Sequence, residues 1–214
     1  MVTIYLLRHG ETAYNADNLL IGGRSSHLPL SEKGVWQAIE TGKYFKANRI
    51  YFDKVFCSTA VRTMQTLELI TQEAVITGGK VVYSDRLQEL SQGEWEGKPR
   101  AEFYTPECQA TILADNRNFK APGGESQKDV EERMLQFIDE MILQPYDTGS
   151  FLIVGHGNAF KCLLRGILDF SQPMVFKLLI DNVSLTKLTY DRDKGWYVKY
   201  VNQCLLPEEN IFKQ

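Results

Sequence analysis

The chain has 214 residues, 43% hydrophobic, 24% charged and 11% aromatic, a globular composition long enough to bury one substantial core and outside the disordered classes. Net charge is −3 and no block of Lys/Arg occurs, which excludes a nucleic-acid groove or an anionic membrane surface and makes any phosphate site a local one. No apolar run is long enough to span a bilayer, Arg8 comes too early for a signal-peptide core, and Cys57, Cys108, Cys162 and Cys204 are too scattered for a disulfide scaffold; the expectation is a cytoplasmic protein with reduced thiols.

In chain order, residues 2–7 form a short apolar run rich in β-formers, which suits a strand buried on both faces. After Ser31 the period becomes helical, with Val35, Ile39, Gly42 and Phe45 facing inward; residues 54–57 form a second strand, and a helix after Thr59 buries Met64, Leu67, Ile70 and Ala74. Residues from about 84 to 125 are irregular, with Gly93, Gly97, Pro99, Pro106, Pro122, Gly123 and Gly124, and are expected to form a substrate-facing lid. Ser126 with Asp129 opens a helix that buries Val130, Met134, Phe137, Ile138, Met141 and Ile142 and closes at Gln144-Pro145. A third strand at 151–154 leads to a helix after Gly157 with Phe160, Leu163, Leu164, Ile167 and Leu168 inward, and residues 183–190 and 196–201 read as a hairpin adding edge strands. The alternation predicts an α/β fold: one domain over 1–214, a three-layer sandwich with a mainly parallel central sheet, helices on both faces and a C-terminal edge hairpin.

In open α/β sheets ligands bind beyond the carboxyl ends of the strands. There the first strand runs into Arg8-His9-Gly10, the second into Ser58-Thr59 and then Arg62, and the third into Gly155-His156-Gly157. A glycine after each histidine implies close backbone approach to a ligand, or positive φ. Arg62 in the first turn of its helix has the wrong charge for the macrodipole, a conflict that an anion bound between guanidinium and helix removes. Two planar guanidiniums and two imidazoles around one point describe a phosphoryl site. One neutral histidine can attack phosphorus while the second, if protonated, clamps the charge. A leaving alkoxide needs a proton, so a carboxylic acid beside the phosphate is required, with Glu89, Glu94 and Glu96 equally placed. His9, His27 and His156 show no metal-ligand spacing, so neither a metal nor another cofactor is expected.

The segments that carry these residues are Leu6-Leu7-Arg8-His9-Gly10-Glu11-Thr12 with Asn15, Leu30-Ser31-Glu32-Lys33-Gly34, Cys57-Ser58-Thr59-Ala60-Val61-Arg62-Thr63-Met64-Gln65-Thr66, Leu87-Gln88-Glu89-Leu90 with Gly93, Trp95, Glu96 and Gly97, and Val154-Gly155-His156-Gly157. In that order they resemble the histidine phosphatase superfamily, the phosphoglycerate mutase-like family, across most of the chain. The resemblance implies His9 as nucleophile, Arg8, Arg62 and His156 as the phosphate pocket, Glu89 as proton donor, and Asn15, Gly22 and Asn158 as substrate-binding positions. It implies a metal-independent phosphomonoester hydrolase acting through a phosphohistidine on a small phosphorylated metabolite, with a homodimer allowed.

Glycolytic mutases of that family have Arg after the catalytic Glu, an Arg-Arg pair and a longer tail, whereas this chain has Leu90, separated Arg100 and Arg117, and an end at Gln214. Gly93-x-Trp95-Glu96-Gly97 and Pro122-Gly123-Gly124-Glu125-Ser126 resemble the small phosphatase branch instead, while Asn158 resembles the mutase pattern. A mutase is the alternative, and a non-catalytic phosphate sensor the third reading. Lys98, Arg100, Arg117, Lys120 and Tyr104 are candidates for selecting the rest of the substrate. Cys57 reads as a buried strand end, His27 as a surface residue and Trp95 as a packing anchor for the lid; Gly155-His156-Gly157 lacks the third glycine of a dinucleotide fingerprint, and Gly97-Lys98 lacks the rest of a P-loop.

Overall fold

A computed structural model describes residues 1–206, apart from the side chains of 172–174. Gln214, whose early position counted against a mutase, lies outside the described residues. The elements are β1 (Val2–Arg8), α1 (Ala13–Asp17), α2 (Glu32–Ala47), β2 (Lys54–Ser58), α3 (Val61–Glu73), β3 (Val82–Ser84), α4 (Arg100–Phe103), α5 (Pro106–Ala114), α6 (Gln127–Ile138), β4 (Gly149–Gly155), α7 (Gly157–Leu168), β5 (Leu185–Asp191) and β6 (Gly195–Gln203). They build one six-stranded sheet in the order β3-β2-β4-β1-β5-β6, parallel from β3 to β1 and antiparallel through β5 and β6.

Strand alternation sends apolar side chains to both faces. Val2, Ile4 and Leu6 of β1, Phe56 of β2 and Phe151 and Ile153 of β4 pack with Met134 and Phe137 of α6 and Phe160 and Leu163 of α7. Leu7, Val55, Cys57, Leu152 and Val154 point the other way, onto Phe45 of α2 and Leu67 and Ile70 of α3. The three layers therefore form as the sequence predicts, and among the described residues no helix is long and apolar enough to cross a membrane.

Helix starts follow local chemistry. Ser31 Oγ accepts the Gly34 N–H at 3.1 Å, and Ser126 and Asp129 exchange side-chain and backbone bonds at the head of α6, which continues through a π turn, Asp139–Leu143, to Gln144. Three details differ from the periodicity. Val35 is 38% exposed while Gly34, Ala38, Thr41 and Phe45 face inward. α2 is rotated because its first turn lies against the backbone after β1, where a Cβ on Gly34 would meet Glu11 O at 2.1 Å. Leu168 is 47% exposed because it is the last helical residue, next to the left-handed Asp169. The C-terminal hairpin lies at the sheet edge as predicted, with β5 beside β1 and β6 outermost, but the opposite edge is β3, a three-residue strand that carries no periodic signal.

Residues 85–125 contain two 3-10 turns (Asp85–Leu87 and Gly93–Trp95), α4, α5 and the turns after them. Trp95 anchors this segment, its ring 5.5 Å from Phe103, 5.8 Å from Tyr104 and 5.8 Å from Phe119. Backbone bonds Ile21 N–H to Lys98 O at 2.9 Å, Gly97 N–H to Ile21 O at 2.8 Å and Arg100 N–H to Leu19 O at 2.7 Å fasten it to the loop after α1.

Candidate active site

The carboxyl ends of β1, β2 and β4 meet beneath a cavity of about 360 Å³ lined by Arg8, His9, Asn15, Gly22, Arg62, Glu89 and Asn158, among others. Every predicted site residue except His156 thus lines one cavity, and His156 is fully buried directly behind it.

His9 Nδ1 lies 2.6 Å from Gly10 O, so it carries the proton and donates, which leaves Nε2 as the lone-pair nitrogen. Arg62 Nε–H donates to that Nε2 at 3.2 Å. A second Arg62 nitrogen lies 3.1 Å from His156 Nδ1; a guanidinium only donates, so Nδ1 accepts and the proton sits on Nε2, donating to Ser58 Oγ at 2.9 Å. The rings stand edge to face with centroids 5.2 Å apart. Burial, then Arg62, holds both imidazoles well below the ordinary histidine range. The second histidine is therefore a neutral acceptor that orients Arg62 rather than a protonated clamp.

Arg62 comes from the first turn of α3, but its side chain leaves the helix for the loop of residues 23–25, donating to Arg24 O at 2.9 Å and Ser25 O at 3.0 Å. Burial lowers its pKa to about 10 against the pull of Glu89, so it stays cationic at neutral pH. Arg8 donates to Ile180 O at 2.6 Å, and among the described residues its buried Nε has no partner. Neither Gly10 nor Gly157 has positive φ, so close approach is what the glycines serve. Gly10 lets the chain touch Gly34, whose O would lie 2.6 Å from an added Cβ, while Gly157 lines the cavity, its missing Cβ leaving room 3.4 Å from Arg8 Nε.

The three candidate acids separate cleanly. Glu94 is exposed. Glu96 accepts from the Arg24, Ser25 and Gln92 N–H groups at 2.9, 3.1 and 2.9 Å and so shapes the loop that holds Arg62. Glu89 faces the cavity, accepting from Asn158 N at 3.0 Å through one oxygen and from Ala159 N at 2.9 Å and Leu90 N at 2.8 Å through the other. It thereby caps α7, whose N-cap His156 makes no side-chain cap bond.

Asn15 Oδ1 accepts the Thr12 N–H at 3.1 Å, which leaves its Nδ2 as a donor at the cavity wall. Of the lid candidates, Arg100 reaches the cavity; Arg117 pairs with Glu131 at 2.6 Å, Lys120 with Asp129 at 2.8 Å, and Lys98 is exposed and Tyr104 lies outside this lining. His27 is exposed, and burial pushes the Cys57 thiol up to about 12. The sequence reading missed Lys161 and Asn182. Lys161 sits one helical turn after Gly157 and lines the cavity, with its pKa lowered by burial and by Arg8; Asn182 donates to His9 O at 3.0 Å. Helical spacing from Gly157 could have found the first, but no local signal marks the second.

The model of the histidine phosphatase superfamily (branch 1) matches residues 4–203. "Probable phosphoglycerate mutase GpmB" of Salmonella choleraesuis is 29% identical over 206 residues, covering 93% of this chain and 92% of that protein. Among solved structures, YhfR of Bacillus stearothermophilus is similar at a TM-score of 0.80 with 26% identity over 95% of this chain and 98% of that one. The phosphoserine phosphatase of Entamoeba histolytica, solved with 3-phosphoglyceric acid, shares the fold at a TM-score of 0.80 with 24% identity, over 96% and 100% of the two chains.

Proposed function

The chain belongs to the histidine phosphatase superfamily, and from that premise we propose that it is a metal-independent phosphomonoester hydrolase working through a phosphohistidine on a small phosphorylated metabolite. The observation that carries the reading is the His9 ring, locked by Gly10 O with Nε2 unprotonated and set among Arg8, Arg62 and Glu89. An arriving phosphate draws the Arg62 Nε–H from Nε2 onto a phosphoryl oxygen, and Arg8 Nε, unpartnered at rest, supplies another donor. The freed Nε2 lone pair attacks phosphorus, forming N–P as the P–O ester bond breaks, and Glu89, protonated by the arriving phosphomonoester monoanion, passes that proton to the leaving oxygen. Water then attacks phosphorus and returns a proton to Glu89, the N–P bond breaks, and inorganic phosphate leaves. The guanidiniums supply the charge neutralisation that a metal would otherwise provide.

A mutase is the second reading, supported by the name of the Salmonella relative and by Asn158 at the cavity wall. Against it, the cavity contains Arg100 but not Arg117, which is tied to Glu131, so a paired arginine clamp for a substrate carboxylate is not formed. The deciding assay follows inorganic phosphate and 2-phosphoglycerate together from 3-phosphoglycerate and a phosphomonoester panel, with and without 2,3-bisphosphoglycerate, in buffer containing a chelator. Phosphate release without isomer formation, abolished in His9→Ala and unaffected by the chelator, is expected. Fast isomer formation with little free phosphate would establish the mutase, and tight binding without turnover would establish a sensor.

A further inference from the structure

Resting on the phosphomonoester reading of the site, we propose that Asn116 recognises an uncharged hydroxyl or amide on the alcohol portion of the substrate, inside a second chamber beneath the lid. This chamber, about 250 Å³, shares Gly22, Gly23, Arg100 and Asn158 with the catalytic cavity, so a molecule with its phosphate at His9 can extend into it. Asn116 lies in the turn after α5 and contributes to the chamber wall. It is 2% exposed, yet among the described residues neither its Nδ2 nor its Oδ1 has a partner. A buried amide without partners is costly, and a site that leaves one facing a chamber next to the reaction centre is built for a ligand that supplies them.

Two neighbouring polar side chains are already engaged. Glu125 is held by Arg24 at 2.9 Å and Arg133 at 3.0 Å, and Gln127 Oε1 accepts from Arg165 at 2.7 Å. The buried Asn116 amide donates and accepts at once, matching a hydroxyl or another amide. Charge assigns the rest. Arg100 stands at the junction of the two spaces, its guanidinium 4.9 Å over the Tyr104 ring and its Nε without a partner among the described residues. A substrate carboxylate is stopped there by the cation, whereas the chamber beyond, walled by Ile21, Leu90, Ile112 and Phe119, penalises charge and admits a neutral group. The substrate class is thus a phosphomonoester longer than a three-carbon acid, with a neutral hydrogen-bonding group far from the phosphate.

The test uses n-alkyl phosphates and their ω-hydroxyalkyl counterparts from two to eight carbons, which share one reacting centre and differ at the far end. Wild-type kcat/KM is measured for each pair, and calorimetric Kd on His9→Ala provides a readout independent of turnover. At one chain length the hydroxyl is expected to improve both by about tenfold or more, because a site built to hydrogen-bond rejects the analogue lacking the group. Asn116→Leu is expected to erase that preference, so that each ω-hydroxyalkyl phosphate and its alkyl counterpart give the same kcat/KM and Kd. Absence of a preference at every length, its survival in Asn116→Leu, or no binding of either series would overturn the proposal. The paired comparison needs no Asn116 variant, so a misfolded variant leaves it falsifiable. If the wild type hydrolyses none of these esters while His9→Ala still separates the pairs, the subsite stands and the hydrolase reading falls.

Discussion

Glu89 joins chemistry to folding at the scale of one side chain, because the carboxylate that faces His9 across the cavity also receives the first N–H groups of α7. Glu89→Gln keeps the shape but turns an NH₂ toward a backbone donor, at a cost of about 1–3 kcal/mol if the donor stays unpaired. It is therefore expected to lower Tm and to slow an alkyl phosphate much more than p-nitrophenyl phosphate, whose leaving group departs with little protonation. Equal slowing of both esters would count against Glu89 as the acid. Arg8, His9, Arg62 and His156 were legible from sequence because strand ends in a parallel sheet point to one edge. Glu89 was not separable from Glu94 and Glu96 by residue type or spacing, since their roles depend on which way a turn-rich segment bends. Asn182 was not legible at all, because it reaches His9 O from the far end of the chain.

Among the elements, the loop of residues 22–25 decides whether Arg62 can work. Its carbonyls orient the guanidinium, and its own N–H groups are pinned by Glu96, against which Gly23 is packed at φ 54°. Glu96→Ala releases these donors and is expected to lower kcat/KM about tenfold or more through misplacement of Arg62, whereas the exposed Glu94→Ala stays near wild type. Kinetics of the two variants side by side check this, and equal activity would show that the loop holds its shape without Glu96. The capped helices α2 and α6 were readable because Ser31 and Ser126 announce them. β3 was not, since three edge residues carry too little pattern, and the face of α2 was misjudged because a glycine contact, Gly34 on Glu11, overrides the apolar stripe.

Across the whole molecule, two apolar layers enclose a sheet whose active edge contains two neutral, buried imidazoles. Their folded pKa values lie below the unfolded value of 6.5, so the unfolded chain binds protons that the folded chain refuses. Their contribution is present in full above that value and declines as pH falls from 6.5 toward the folded pKa. Tm is expected to drop between pH 7 and pH 5, and to drop less steeply in His9→Ala; identical slopes would mean that His9 is not neutral when buried. The architecture was legible because short two-sided apolar runs alternating with helical periods admit few solutions besides a parallel sheet covered on both faces. The C-terminal hairpin at the sheet edge was legible too, although periodicity alone does not say that β5 rather than β6 lies beside β1.

The cap that Glu89 places on α7 bears on how the chain ages under mutation. A copy released from selection for its reaction would still be penalised for losing that carboxylate, because α7 would lose the acceptor for its first N–H groups. A glutamate retained at position 89 in a diverged descendant is then weak testimony to retained activity. His9 is the informative position: its Nδ1 bonds the adjacent residue's carbonyl, and the guanidinium on its Nε2 is also held by the carbonyls of residues 24 and 25, so drift can erase it at little cost to the fold.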